Sequence, residues 1–158
     1  MKRNRSGGSW KVKPGKDEII AKTAEVLSRY PQVRFGYLFG SVAEGLERED
    51  SDVDVAVYFS EELDKAEVFE LSLRIGEELE SALKRKVDLI ALNHAHPSIA
   101  FRAIKGEVVF ERDPVERALV ASRIMSRYYD FRHFFKFWEE EISRRLKEGV
   151  FGVRGGEG

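Results

Sequence analysis

An alternating run of acidic and apolar residues, SDVDVAVYF at positions 51–59, constrains the fold of this chain most strongly. Successive residues of a β-strand point to opposite faces, so the three valines form one face while Asp52 and Asp54 share the other. Two neighbouring carboxylates repel each other unless a cation lies between them. Such hard oxygen ligands suit Mg²⁺, which commonly binds one or two carboxylates together with substrate phosphates. Taken alone, however, the pair is better explained as a strand edge that faces solvent.

Helical and strand patterns alternate along the rest of the chain. Helices are predicted over residues 17–30, 62–84, 97–106 and 113–148, and strands over residues 33–39, 51–59, 85–92 and 107–111. The order αββαβαβα predicts a mixed α/β (α+β) domain that ends in one long helix. A chain of 158 residues fits a single domain of this kind.

Composition excludes several classes of protein. The chain has a net charge of −1 and no cysteine, so disulfides and thiolate metal sites are excluded and a reducing cytoplasm is expected. No apolar run approaches the roughly 18 residues of a membrane span. Charged residues make up 35% of the chain, a bias typical of thermophile proteins.

Both ends of the chain are predicted to be flexible tails, at residues 1–16 and 149–158. The first of these carries six cations and no acid. A nucleic-acid-binding arm is the alternative for that segment. The near-neutral net charge of the whole chain does not favour direct nucleic-acid binding.

Two further features accompany the paired aspartates. Gly40 and Ser41 follow a predicted strand, where a glycine lets the backbone approach a ligand and a hydroxyl can hold phosphate oxygens. Asp88 is the lone acid of an apolar strand, an expensive position unless the carboxylate is exposed or paired. If that strand neighbours the Asp52–Asp54 strand, the three carboxylates form one site. The other acids of the loop, Glu47, Glu49 and Asp50, are predicted to be solvated.

Gly-Ser at positions 40–41, followed by ten residues and then Asp-Val-Asp, resembles the signature of the DNA polymerase β-type nucleotidyltransferase superfamily. The segments LFGSVAEGLEREDSDVDVAVYF and RKVDLIAL together resemble its minimal nucleotidyltransferase (MNT) branch, the antitoxins encoded beside HEPN-domain toxins. The resemblance covers residues 17–112, which would form the nucleotidyltransferase core. It implies a nucleotidyltransferase-type mixed sheet flanked by helices.

The resemblance also implies roles for individual residues. It assigns nucleotide binding to Gly40 and Ser41, and both catalysis and metal binding to Asp52, Asp54 and Asp88. ATP would be the substrate and Mg²⁺ the cofactor. AMP would pass to a hydroxyl, expected to be a tyrosine, of a partner HEPN toxin, an RNase-type protein that the modification would silence.

One departure from the family pattern leaves an alternative open. Members often carry an arginine before the second glycine, where this chain has Glu44. An anion thus replaces a cation that could face the triphosphate, and Arg48 is a candidate to compensate. The alternative is a weak or inactive nucleotidyltransferase-fold module that neutralises its partner by occlusion.

The predicted C-terminal helix is rich in aromatic residues. Its apolar residues step by four and three positions, the spacing of a seam along one side of a helix; they are Ile124, Tyr128, Phe131, Phe135, Trp138 and Ile142. Part of this seam is expected to pack on the chain's own sheet. The distal half is predicted to bind a partner protein, and a homo-oligomer formed through the same helix is the alternative.

Overall fold

A computed structural model describes residues 14–48 and 50–149. Five helices and four strands follow one another in these residues. They are α1 (Lys16–Ser28), β1 (Val33–Phe39), α2 (Gly40–Glu44), β2 (Val53–Phe59), α3 (Lys65–Leu83), β3 (Val87–Ala91), α4 (Pro97–Ile104), β4 (Glu107–Glu111) and α5 (Pro114–Lys147). The predicted order of elements is confirmed, with the short helix α2 added. The tail predictions fall largely on residues 1–13 and 150–158, which lie outside the described residues, and Lys16 already belongs to α1.

The four strands form one mixed sheet in the order β3-β2-β1-β4. β1 pairs in antiparallel orientation with both β2 and β4, and β2 pairs in parallel with β3. The predicted mixed α/β fold is therefore confirmed. β3 lies at one edge of the sheet, and its outer side carries no strand among the described residues.

Helices cover both faces of the sheet. On one face the valines of β2 pack with residues of α1 and α3, among them Leu27 and Leu79. On the other face Tyr37, Ala56 and Tyr58 pack with α4 and the first part of α5. β2 is thus buried on both sides beyond Asp54, which explains why its carboxylates are confined to the start of the strand.

The predicted helices shift by up to three residues at their ends, and α2 was not predicted as a helix. α3 begins at Lys65 rather than at residue 62, because Asp64 caps it. The Asp64 carboxylate accepts from the backbone N–H of Glu67, and the Glu67 carboxylate accepts from the backbone N–H of Asp64, which is a capping box. α2 was predicted only as part of a turn, since a helix of five residues is too short to show helical periodicity.

The predicted long C-terminal helix is confirmed. α5 has 34 residues, a length of about 51 Å at 1.5 Å per residue. Asp113 caps its start by accepting hydrogen bonds from two backbone N–H groups of the first turn. Only its first half packs on the domain, where Val120 and Ile124 are buried.

Among residues 14–48 and 50–149, no helix combines the length and the apolar character that a membrane crossing requires.

Candidate active site

The antiparallel pairing of β1 and β2 brings Gly40 next to Asp54. Phe39, the last residue of β1, is paired with Asp54, so the chain turns into α2 directly beside that carboxylate. Gly40 has φ of 73°, a conformation that favours glycine, and a Cβ atom at this position would overlap the Asp54 carboxylate. The Gly-Ser turn and the aspartate pair are therefore parts of one site.

The parallel pairing of β2 and β3 adds the third carboxylate. Asp88 is the register partner of Asp54, and both side chains project from the same face of the sheet, because directly opposed residues of paired strands do so. Asp52 precedes Asp54 by two residues and is exposed. The condition that the β3 strand should neighbour the aspartate pair is met.

The carboxylates influence one another electrostatically. Burial raises the pKa of Asp54 above its ordinary value, and the negative charges of Asp88 and Asp52 raise it further. The positive charge of Arg102 opposes these effects. A cation placed among the three carboxylates would relieve this repulsion.

The donor set fits a metal ion that shares its ligands with a substrate. Within the described residues, no three histidine, cysteine, aspartate or glutamate side chains converge as a complete metal-ligand set. Mg²⁺ does not need such a set, because it commonly binds one or two carboxylates and completes its shell with water and phosphate oxygens. Asp54 and its neighbours Asp52 and Asp88 are suitable ligands for an ion bound in that way.

An ion pair holds the loop that leads into Asp52. The side chain of Arg85, almost fully buried, donates to Glu47 at 2.7 Å and to the carbonyl oxygen of Ser51 at 2.7 Å. Glu47 is exposed as predicted, but sequence reasoning missed its ion pair with Arg85, 38 positions away. Asp50 is exposed as predicted, and Glu49 lies outside the described residues.

Sequence reasoning missed two cations beside the Gly-Ser turn. Arg102 and Lys105 of α4 line a cleft of about 190 Å³ together with Gly40 and Glu44. The Arg102 guanidinium lies 5.8 Å from the ring centre of Phe39 and is close enough to Asp54 to affect its pKa. The Lys105 ammonium group lies 4.8 Å from the ring centre of Phe101. The spacing of the two cations in the sequence gave no signal, because only the packing of α4 on the sheet directs them to this cleft.

Comparison with known proteins agrees with this geometry. The model of the family described as polymerase beta, nucleotidyltransferase, matches residues 21–115, which is more than half of the chain. The chain belongs to this nucleotidyltransferase family. Its membership confirms the predicted superfamily and the enzyme class, and places the matched site residues in a nucleotidyltransferase domain.

Curated relatives point to one branch of the family. A Methanocaldococcus jannaschii protein, provisionally named protein adenylyltransferase MJ1379, is 33% identical over 93 residues, which cover 59% of this chain and 91% of the relative. The protein adenylyltransferase MntA of Shewanella oneidensis is 38% identical over 65 residues, 41% of this chain and 44% of MntA. The resemblance to the MNT branch is thereby confirmed.

Solved structures show the same fold. A toxin–antitoxin structure with AMP-PNP matches with a TM-score of 0.66 and 23% identity, covering 78% of this chain and 98% of the other. The complex of a tri-AMPylated Shewanella oneidensis HEPN toxin with its MNT antitoxin matches with a TM-score of 0.63 and 21% identity, covering 81% and 98%. At these identities the likeness establishes the fold alone.

Proposed function

We propose that this chain transfers AMP from ATP to the hydroxyl group of a tyrosine in a HEPN-type partner protein. In this proposal the chain acts as the antitoxin of that partner. The observation that carries the proposal is the convergence of Gly40 with Asp54 and Asp88 at one end of the strands β1, β2 and β3. The relatives named as protein adenylyltransferases support AMP as the transferred group.

The transfer is a single displacement at phosphorus. A bond forms between the acceptor oxygen and the α-phosphorus of ATP, and the bond from that phosphorus to the bridging oxygen of the β-phosphate breaks. Pyrophosphate leaves with the electron pair of the broken bond. Asp88, exposed at the strand edge, accepts the hydroxyl proton.

Mg²⁺ held by one or two of the carboxylates of Asp52, Asp54 and Asp88 would supply charge stabilisation to the phosphate oxygens when bound. The protein's own groups orient the nucleotide. In this proposal Gly40 allows the backbone to approach the phosphates, and the Ser41 hydroxyl donates to one of their oxygens.

Positive charge for the triphosphate comes from α4 in this proposal. Arg102 and Lys105 lie in the cleft beside Gly40, where Glu44 stands in the position at which the family often has an arginine. They can take over the role of that missing arginine. Arg48, the residue suggested by sequence, is an exposed loop residue whose backbone N–H donates to Ser51.

The distal half of α5 supports a protein partner. Tyr128 stacks on Phe101 with ring centres 3.9 Å apart, and Phe131 contacts His96. Beyond Phe131 the aromatic side chains leave the domain, and Phe135 and Trp138 are 61% and 45% exposed. An exposed aromatic surface of this extent is typical of protein interfaces.

A growth assay tests the antitoxin function. The HEPN-type protein encoded in the same genome is expressed with this chain or with its Asp52→Asn/Asp54→Asn variant. The proposal predicts that the parent chain restores growth and that the variant does not, although both bind the partner. Restoration of growth by both would instead support neutralisation without chemistry.

Occlusion is the second candidate function, because Glu44 places an anion in the cleft and the exposed half of α5 could cover a partner's site unaided. In that case binding alone would neutralise the partner, and the carboxylates would be dispensable.

A further inference from the structure

A groove of about 660 Å³ runs along the outer side of the edge strand β3. α3 forms one wall, and the segment at residues 94–99 forms the other. Two apolar side chains of α3, Phe69 and Leu73, stand in the groove although they are 66% and 55% exposed. Asp88, a member of the candidate active site, lines the same groove. The groove therefore connects an apolar surface directly with the proposed site of chemistry.

The backbone of β3 is open on this side. At the two ends of the β2–β3 ladder, Val53 donates to the carbonyl oxygen of Lys86 and Leu92 donates to that of Val57. In a parallel ladder with these bonds, the backbone N–H and C=O groups of alternate residues, including Asp88, point toward β2. The backbone N–H and C=O groups of residues 87, 89 and 91 point outward, away from the sheet. The Glu80 carboxylate accepts from the outward N–H of Val87.

Further along β3, no described residue forms a hydrogen bond with the backbone N–H or C=O of Leu89. Edge strands are normally protected by lysine, proline or a bulge, and the sequence of β3, VDLIA, has neither lysine nor proline. An open edge of this kind is a template for an added strand.

The charge of the groove indicates what kind of segment it accepts. Glu77, Glu80 and Asp88 are three acids among its lining residues, and Lys65 lies at its far end. An extended segment with apolar residues and at least one basic residue complements this surface.

We propose that the acceptor segment of the partner protein docks on β3 as a fifth strand. The proposal rests on the AMP-transfer function stated above and adds the way in which the acceptor hydroxyl reaches Asp88. Leu89 and its neighbours at positions 87 and 91 face α3, whereas Asp88 faces the opposite side of the sheet. Because side chains of the added strand alternate in the same way, its apolar residues contact Phe69 and Leu73 and its hydroxyl residue lies between them in sequence.

Two variants test the docking without touching the carboxylates. Leu89→Pro removes an N–H that faces away from β2 together with a side chain that packs on the core, so its Tm is measured beside its Kd. Leu73→Glu places a charge on the exposed wall of the groove. Leu119→Glu changes an equally exposed leucine of α5 and is the control. Kd for the HEPN-type protein is measured without nucleotide, and Kd for Mg·ATP is measured separately.

The proposal predicts that both groove variants raise Kd for the partner by roughly tenfold or more, as expected when backbone pairing and an apolar contact are lost. The control variant keeps the parent's Kd for the partner, and all three variants keep the parent's Kd for Mg·ATP. Hydrogen exchange at the amides of Leu89 and Ala91 slows when the partner binds. Unchanged partner affinity in both variants, or no slowing at these amides, would overturn the docking.

Other occupants give different results. If the groove pairs two copies of this chain, light scattering shows a dimer that the groove variants convert to monomers, and the proposal is wrong. Because binding is measured without nucleotide, a parent chain that binds the partner through β3 but transfers no AMP contradicts the proposed function alone.

Discussion

Gly40 and Asp54 are in contact across the end of the β1–β2 ladder, where only a glycine leaves room for the Asp54 carboxylate. Gly40 is also buried and has φ of 73°. A side chain at position 40 would therefore strain the backbone and displace a proposed metal ligand at the same time. The contact shows that the Gly-Ser turn and the aspartates at the start of β2 belong to one site.

Substitution of Gly40 is expected to affect folding and nucleotide binding together. Gly40→Ala costs about 1–2 kcal/mol from the left-handed conformation alone, and the overlap with Asp54 adds to this. The variant should have a lower Tm and a weaker affinity for Mg·ATP. Ser41→Ala, the matched control, should weaken Mg·ATP binding and leave the Tm nearly unchanged. A Gly40→Ala variant with the parent's Tm and the parent's affinity for Mg·ATP would contradict this prediction.

Asp54 is expected to oppose folding when no cation is bound. Its pKa is raised in the folded protein by burial and by Asp88, so its contribution to stability is full below the unfolded pKa and is lost as the pH rises through the folded pKa. At neutral pH the ionised group therefore destabilises the nucleotide-free chain. Asp54→Asn should raise the Tm at pH 7, whereas Asp50→Asn, in an exposed position, should not.

The same carboxyl group should make nucleotide binding dependent on pH. The ionised form is the metal ligand, so the affinity for Mg·ATP should fall as the pH decreases through the raised pKa of Asp54. Asp88→Asn removes a nearby negative charge and should lower that pKa, which moves the loss of affinity to lower pH. Calorimetric titrations over a series of pH values measure the midpoint. A midpoint unaffected by Asp88→Asn would contradict the coupling.

Arg102 is expected to contribute charge to nucleotide binding. Arg102→Gln should weaken Mg·ATP binding by roughly tenfold, the usual order for a lost charge-assisted hydrogen bond. It should also raise the pKa of Asp54, because a neighbouring positive charge is lost. Arg132→Gln, on the exposed surface of α5, is the control. If Arg102→Gln and Arg132→Gln bind Mg·ATP with equal affinity, Arg102 does not replace the arginine that the family often has.

The exposed half of α5 is expected to bind the partner. Phe135→Ser/Trp138→Ser should raise the Kd for the HEPN-type protein and leave the Tm within about 2 °C, because exposed side chains contribute little to stability. Leu119→Ser, near the start of the helix, should change neither quantity. A large drop in Tm would show that these aromatic residues stabilise the folded chain itself.

Much of the site follows from local sequence patterns. The alternation in β2 places two carboxylates on one face, and the spacing to Gly40 marks the turn that approaches them. The solitary acid of β3 was a conditional prediction, because only tertiary pairing determines which strands are neighbours. The parallel register of Asp54 with Asp88 met that condition.

Other features depend on contacts between distant positions. The sequence places Glu47 among solvated acids, but a buried arginine 38 residues later pairs with it. Arg102 approaches the Gly-Ser turn only because α4 packs beside β1. Phe69 and Leu73 have the apolar character of core residues, yet the core of α3 uses Ile75 and Leu79. Helical periodicity does not separate the two sets, because both are apolar and lie close together along the helix.

The most direct test of the account is the intact mass of the HEPN-type partner after incubation with this chain, ATP and Mg²⁺. The account predicts that the partner gains one or more AMP increments, and that Asp88→Asn binds ATP within about a few fold of the parent but transfers AMP slower by orders of magnitude. No mass increase in a partner that is nevertheless neutralised would contradict AMP transfer and leave occlusion as the function.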